Sequence, residues 1–138
     1  MAKALVDANY LIALSYPKDK NHQRAKDFAA KTTHQLLIPT VVLPEAIYIL
    51  RQVGGTPAAL RFGDTLIKRQ ETLLALTPPD FERAIAIMRQ YKGTELDFVD
   101  SCLTALAERL QITHICTFDR RDFSIIRPQH TDFFILLP

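Results

Sequence analysis

Short apolar runs alternate with helix-patterned segments along this chain, and this alternation limits its possible folds more than any other feature. Five runs predict strands, at 4–7, 36–38, 72–76, 112–117 and 133–137. Strands that alternate with helices are typical of a mostly parallel sheet with helices on both faces. We therefore predict an α/β fold with three layers, α/β/α, around a mostly parallel central sheet.

The segments between these runs carry apolar residues at helical spacing, or begin and end with residues that favour helix ends. They predict helices at about 9–15, 20–32, 40–54, 56–69, 78–93 and 98–110. Thr40 is the expected N-cap of the third helix, with Pro44 in its first turn and Gly54-Gly55 as its stop. Since no repeat or linker interrupts the pattern, we expect a single domain over 1–138.

The composition agrees with a globular chain that has its own core. Among 138 residues, 48% are hydrophobic and 23% are charged, and no run of about 18 apolar residues or secretory signal occurs. We therefore expect a soluble, cytoplasmic protein with no membrane partner. Cys102 and Cys116 lie in apolar surroundings without a CxxC or Cys/His pattern, so they are expected to be reduced core residues.

Several carboxylates follow corresponding points of the predicted sheet. Asp7 ends the first strand, Glu45 lies in the first turns of the helix after the second, and Asp119 follows the fourth. The carboxyl ends of parallel strands share one edge, so these three acids are expected to converge there. Asp100 begins the helix before the fourth strand. It reaches the same edge if that helix spans the sheet, since 98–110 would be nearly 20 Å long at about 1.5 Å per residue.

Each acid also fits an ordinary structural role. Asp7 is placed to cap the helix that follows it, and Asp119 fits a turn. Asp97 and Asp100 match an N-cap and an acid favoured by the helix dipole. Glu45 fits such a role less well, because it lies on a helix that is apolar nearly all round, where a solvated charge is not expected.

A cluster of these four acids would need cations or protons. At about 5 Å separation each pair would repel by roughly 3 kcal/mol at an effective dielectric constant near 20. Oxygen ligands alone favour Mg²⁺ or Mn²⁺, and no His or Cys lies near enough in these motifs to suggest zinc. Metal ions in acidic sites of this kind serve phosphodiester hydrolysis, because they activate water and stabilise charge on the phosphate.

The ordered set VDANY, LPEAIY, LDFVDSCLTALAERL and CTFDRRDF resembles the PIN-domain nucleases, in particular the VapC-like toxins of bacterial toxin-antitoxin pairs. The resemblance covers essentially the whole chain. It implies that Asp7, Glu45 and Asp100 are the central metal-binding and catalytic acids and that Asp119 is a more peripheral one. It further implies that Asn9 and Thr117 orient these acids by hydrogen bonds.

The same resemblance implies an Mg²⁺- or Mn²⁺-dependent endoribonuclease, a hydrolase that cuts RNA. It also implies a homodimer and a small antitoxin protein as partner. Asp97 is the ambiguous acid of the set, and we expect it to be a cap or a residue that supports the metal ligands.

Two groups of basic residues flank the predicted acidic edge. Lys18, Lys20 and Arg24 follow the first helix, and Arg120 and Arg121 follow the acid after the fourth strand. Both groups are placed to hold RNA phosphates, although a solvated surface explains them equally well.

Other acidic-site folds fit the chain less well. A receiver-like signalling module requires an acceptor Asp after the third strand and a Lys after the last. Here that strand ends in Thr77-Pro78-Pro79, and no Lys follows Lys92. A haloacid-dehalogenase-type phosphatase requires Asp where this chain has Asn9. A non-catalytic PIN-fold RNA-binding protein is a further alternative, which the intact acids disfavour.

Two successive predicted helices carry more apolar residues than one buried stripe needs. On the first helix, Tyr48 and Ile49 add apolar surface beside the stripe formed by Val42, Leu43, Ala46, Ile47 and Leu50. Leu60, Phe62 and Leu66 extend the surplus onto the second helix. We expect the Gly54-Gly55 break to fold the two helices into a hairpin. Either neighbouring helices cover this surplus, or the hairpin forms part of a homodimer interface, an antitoxin groove or both.

Overall fold

The computed structural model describes residues 1–138 and contains one five-stranded sheet in which every pair of neighbouring strands is parallel. The strands are β1 Lys3–Val6, β2 Gln35–Pro39, β3 Thr72–Leu74, β4 His114–Cys116 and β5 Ile135–Leu137. Their spatial order is β3-β2-β1-β4-β5, so β1 is central. The chain adds β2 and β3 on one side of β1, and then β4 and β5 on the other side. The predicted parallel α/β sheet is confirmed, and each predicted strand has a counterpart.

Six helices connect the strands. They are α1 Ala8–Ser15, α2 His22–Lys31, α3 Leu43–Lys68, α4 Pro78–Gln90, α5 Phe98–Leu110 and α6 Arg120–Ile125. The strand order places β4 directly beside β1, and β1 and β4 end at the same edge, as their register Val6–Cys116 shows. The segments that follow these two strands therefore begin side by side.

The start of α3 differs from the prediction. Thr40 does not cap it. Thr40–Val42 forms a 3₁₀ turn, and α3 begins at Leu43, with Pro44 in its first turn as expected. Short 3₁₀ turns are common at helix starts, and here the turn buries Val42 completely in the core. Burial of this valine outweighs the hydroxyl cap that Thr40 would have offered.

The predicted break in α3 is present at Gly55. Its φ of 74° and ψ of 177° interrupt the helix, and Pro57 follows within the resumed helix. This backbone conformation is available to glycine and not to side-chain-bearing residues. The two glycines therefore divide a 26-residue helical segment into two parts that point in different directions.

One helix was missed at the sequence level. Residues 120–125 form α6, which has a single buried residue, Phe123, and is too short to show helical periodicity. Asp119 is its N-cap and accepts a hydrogen bond from the backbone N–H of Asp122 at 3.4 Å. The pair of acids three residues apart was the available signal for this helix start.

The core lies on both faces of the sheet, and α5 is its most buried helix. Residues 100–107 of α5 are all buried, and Cys102 and Cys116 are buried free thiols, as expected. On its outer side α5 packs against α4, where Arg109 bonds Asp80 through two nitrogens at 2.9 and 3.0 Å. Strong packing of α5 fixes the position of its N-terminal turn.

Only some of the apolar side chains predicted to be in surplus on α3 are exposed. Ala46, Leu50 and Phe62 are buried in the main core, so Phe62 belongs to the part of the surplus that the rest of the chain covers. Tyr48 and Leu60 are each 61% exposed. The chain thus leaves apolar side chains in solvent on both parts of α3. None of its helices has the length and apolar character needed to cross a bilayer.

Candidate functional site

A small cavity of about 90 Å³ opens at the carboxyl edge of the sheet. Its lining is almost entirely acidic or amide, and consists of Asp7, Asn9, Glu45, Asp97, Val99, Asp100 and Asp119. The fold brings these residues together because β1, β2 and β4 all end at this edge and α5 begins there. All four acids expected to converge, together with Asp97, therefore face one space.

Asp7 is the most tightly held of these acids. It follows β1 directly and caps α1, where its Oδ1 accepts the backbone N–H of Ala8 at 2.8 Å. Its Oδ2 accepts the Thr117 hydroxyl at 2.9 Å. Only 7% of Asp7 is exposed. Burial raises the pKa of its carboxyl to about 6, although the two hydrogen bonds lower this pKa. Glu45 and Asp119 add to the rise by repulsion.

A network of hydrogen bonds between Asn9, Thr117 and the backbone after β4 holds Asp7 in place. Asn9 donates from Nδ2 to the Thr117 hydroxyl at 3.0 Å and accepts the backbone N–H of Phe118 at its Oδ1, also at 3.0 Å. The Thr117 hydroxyl in turn accepts the backbone N–H of Asp119 at 3.0 Å. The segment after β4 is thereby tied to α1, and the hydrogen bonds expected of Asn9 and Thr117 are present.

Asp97 and Asp100 share the first turn of α5. Asp97 is the N-cap, and its Oδ1 accepts the Asp100 backbone N–H at 2.8 Å, as predicted. Asp100 is buried, and its pKa lies well above the ordinary range because of burial first and then repulsion from Asp97 and Asp7. Asp97 is therefore a helix cap, one of the two roles left open by the sequence, and it also lines the cavity.

Glu45 is more exposed to solvent than its apolar neighbours in the sequence suggested. Its side chain is exposed, because only Ala46 and Leu50 of this part of α3 point into the core while Ile47 and Tyr48 face solvent. The expectation that Glu45 is shielded from water is therefore wrong. It still lines the cavity, and its pKa is raised by partial burial and by the nearby Asp97.

Asp122 is an acid near the cavity that the sequence analysis did not select. It lies on α6, and its pKa is raised by burial first and then by a hydrogen bond and repulsion from Asp119. It also contributes to the raised pKa of Asp100. Its position three residues after Asp119, at the start of an amphipathic turn, was the only signal in the sequence.

The cavity has no cationic side chain to balance its acids. The chain forms four salt bridges, and none of them includes a cavity residue. The oxygen-only donor set fits a hard divalent cation such as Mg²⁺ or Mn²⁺. No group of three acidic, histidine or cysteine side chains is arranged to hold one ion between them in this structure.

The basic residues predicted to flank the edge have different surroundings. Lys18 and Lys20 are exposed. Arg120 donates to the backbone carbonyl of Pro138 at 2.6 Å, and Arg121 pairs with exposed Glu95 at 3.2 Å.

Arg24 is the predicted basic residue that contacts the segment leading to Asp119. Its guanidinium carbon lies 5.2 Å from the centre of the Phe118 ring, and Phe118 directly precedes Asp119.

Comparison with known proteins gives consistent results. The model of the PIN domain family matches residues 4–127. The chain is 24% identical over 134 residues to Ribonuclease VapC26 of Mycobacterium tuberculosis, covering 97% of this chain and 99% of that protein.

Two solved structures show the same fold. VapC20 of Mycobacterium tuberculosis, described as a toxin that cleaves the sarcin-ricin loop, superposes with a TM-score of 0.80 at 22% identity, covering 87% and 92% of the two chains. A chain of a toxin-antitoxin complex from Klebsiella pneumoniae superposes with a TM-score of 0.67 at 21% identity, covering 96% and 100%.

Replacing Asp7 by Asn is expected to change how the stability of the metal-free protein depends on pH. The folded-state pKa of about 6 lies above the ordinary value of 3.8, so the folded protein keeps a proton that the unfolded chain has released. The contribution of Asp7 to the free energy of unfolding therefore falls as pH rises from about 4 to 6, by roughly 3 kcal/mol in total. Asp7→Asn should remove the Asp7 part of this fall and leave the part due to Asp100, in urea unfolding experiments with EDTA at pH 4 to 7.

The variant is compatible with the site. Asn retains an oxygen for the Ala8 N–H, and the Thr117 hydroxyl can turn toward Asn9 Oδ1, which lies 3.3 Å away. Asp64→Asn, which removes an exposed carboxyl of α3, is the control and should follow the wild-type curve. If Asp7→Asn also follows that curve, burial of the Asp7 carboxylate is not costly and the electrostatic description is wrong.

Proposed function

The chain belongs to the PIN-domain family, and we propose that it is a metal-dependent endoribonuclease and the toxin of a toxin-antitoxin pair. The observation that carries this proposal is the convergence of Asp7, Glu45, Asp100 and Asp119 on one cavity without a basic partner. Like charges gathered in a partly buried cavity lower the stability of the fold, and such arrangements occur most often at binding and catalytic sites. We propose that it acts on RNA in the cytoplasm, as a hydrolase.

The comparisons support RNA as the substrate. The relative VapC26 is named a ribonuclease, and the structural neighbour VapC20 is described as cleaving the sarcin-ricin loop. Both match this chain over most of its length. We propose that the reaction is hydrolysis of an RNA phosphodiester bond positioned at the mouth of the cavity.

We propose that Asp7, Glu45 and Asp100 hold Mg²⁺ or Mn²⁺ and that Asp119 is a peripheral ligand. The bound ion would supply an activated water and would stabilise negative charge on the phosphate. Thr117 and Asn9 fix the Asp7 carboxylate, so that its orientation does not have to be established when substrate binds. Asp97 caps α5 and thereby fixes the turn that carries Asp100.

Protons occupy this site in competition with cations. The raised pKa values of Asp7 and Asp100 mean that, near neutral pH, part of the population holds a proton on one of these carboxyls. A cation that binds here therefore displaces protons to solvent, and low pH is expected to weaken cation binding.

A PIN-fold RNA-binding protein without catalysis is the second candidate function. The spacing of the acids favours it, because no three of them are close enough to hold one ion as the structure stands. The receiver-like alternative is not supported, since the family that matches the chain is the PIN domain.

We propose that a small antitoxin docks beside α1. A cavity of about 610 Å³ lies between α1, β2 and the second part of α3. Tyr10 lines this cavity, and its hydroxyl is buried without a hydrogen-bond partner. A buried hydroxyl without a partner costs about 1–3 kcal/mol, so this wall of the cavity is not fully satisfied in the chain alone. Since a toxin-antitoxin complex is among the structural neighbours, an antitoxin segment is the occupant we propose.

We further propose a homodimer that uses the first part of α3. Ile47, Tyr48 and Val53 are 41%, 61% and 45% exposed on this segment. Apolar surface of this kind on a soluble protein commonly marks an interface with another chain.

The proposed activity predicts strict dependence on a divalent cation and on Asp7. The protein should cleave single-stranded RNA with Mg²⁺ or Mn²⁺ and lose this activity in EDTA. Asp7→Asn should lower kcat at least 100-fold, which is the loss typical of removing one electrostatic catalytic group. A gel assay with labelled RNA measures both effects. The control, Asp64→Asn, should cleave like wild type. Full cleavage by Asp7→Asn, or in EDTA, would contradict the proposal, and RNA binding without cleavage would favour the second candidate function.

The proposed dimer predicts that a charge on the exposed face of α3 separates the subunits. Tyr48→Glu should give a monomer in light scattering, because a carboxylate would be buried unpaired at the interface. Phe133→Glu is a matched control, since Phe133 is also 61% exposed but lies next to the opposite edge strand, β5. Both variants should remain folded in far-UV circular dichroism, and Phe133→Glu should keep the wild-type melting temperature, since it keeps the dimer. A wild-type monomer, or a Tyr48→Glu dimer, would contradict this interface.

A further inference from the structure

Arg24 lies against the ring of Phe118, whose backbone is hydrogen-bonded to Asn9, a residue that lines the acid cavity. Its guanidinium carbon lies 5.2 Å from the centre of the Phe118 ring. The backbone N–H of Phe118 donates to Asn9 Oδ1 at 3.0 Å, and the Phe118 ring stacks on buried Tyr10 with centroids 6.3 Å apart. Phe118 directly precedes Asp119, so the guanidinium rests on a ring of the same segment that brings Asp119 to the cavity.

The guanidinium of Arg24 is not engaged by any other protein group. Arg24 is exposed and belongs to none of the four salt bridges. The other two arginines near this edge have partners, since Arg121 pairs with Glu95 and Arg120 bonds a backbone carbonyl. Arg24 therefore presents a positioned cation with unused N–H donors.

Resting on the proposed ribonuclease function, we propose that Arg24, held against Phe118, binds a phosphate of the RNA strand next to the bond that is cut. A cavity of unbalanced carboxylates repels RNA, so a cation at its border offsets part of this repulsion. Guanidinium groups donate paired hydrogen bonds to phosphate oxygens, and a group already held by a ring loses less freedom on binding. The class of ligand is thus a single-stranded ribonucleotide backbone.

Binding without cleavage tests this assignment. The probe is a fluorescein-labelled single-stranded RNA 20-mer, measured by anisotropy in the Asp7→Asn background with Mn²⁺. Arg24→Gln should raise the Kd about 10-fold, the effect of losing a charge-assisted hydrogen bond. It should also reduce the slope of log Kd against log salt by about 0.7, the value for one phosphate contact on a single strand.

Two further variants test the role of the ring. Arg24→Lys keeps the charge but loses the planar fork, and Phe118→Leu removes the ring. Each should raise the Kd about threefold, in the range of a cation–π contact. In the Phe118→Leu background, Arg24→Lys should have little further effect, because the ring acts through the guanidinium. In the otherwise wild-type protein, Arg24→Gln should raise KM while kcat stays within about twofold, as expected for a group that only binds substrate.

Lys26→Gln is the matched control, because it removes a positive charge from the exposed side of the same helix two residues away. An Arg24→Gln Kd and salt slope equal to those of Lys26→Gln would overturn the assignment of Arg24. Independent, additive effects of Arg24→Lys and Phe118→Leu would overturn the role of the ring. Absence of wild-type cleavage would overturn the proposed function alone, because anisotropy measures RNA binding directly.

Discussion

Burial of several carboxylates close together at one edge of a parallel sheet is the constraint on which this molecule depends, and mutual repulsion adds to its cost. The fold gathers Asp7, Glu45, Asp97, Asp100 and Asp119 around a cavity of about 90 Å³ and supplies no cation to balance them. Hydrogen bonds from Thr117 and the Ala8 backbone hold Asp7 in this unfavourable place. The tightly packed α5 does the same for Asp100. The rest of the core must stabilise a site that would otherwise disperse.

The sequence predicts the site better than it predicts its surroundings. Short apolar runs separated by helices indicate a parallel sheet, and a parallel sheet brings the residues after its strands to one edge. Asp7 and Asp119 follow from that rule alone. Asp100 required the additional argument that α5 spans the sheet. These positions are predictable because topology, rather than side-chain packing, determines them.

Other features depend on packing and could not be predicted. Burial of Val42 in a 3₁₀ turn displaced the start of α3 from Thr40. Glu45 proved exposed because only Ala46 and Leu50 of its segment meet the core. The contact between Arg24 and Phe118 joins a residue of α2 to one in the loop after β4. Local sequence patterns do not predict contacts between residues so far apart in the chain.

Calorimetric titration of the protein with Mn²⁺ at pH 6.5, in two buffers of different ionisation enthalpy, tests most directly whether the acidic cavity is a cation site. We expect saturable binding with a net release of protons, since burial raises the pKa of Asp7 to about 6 and that of Asp100 above its ordinary range. Absence of saturable binding at millimolar Mn²⁺, or binding without proton release, would contradict the account.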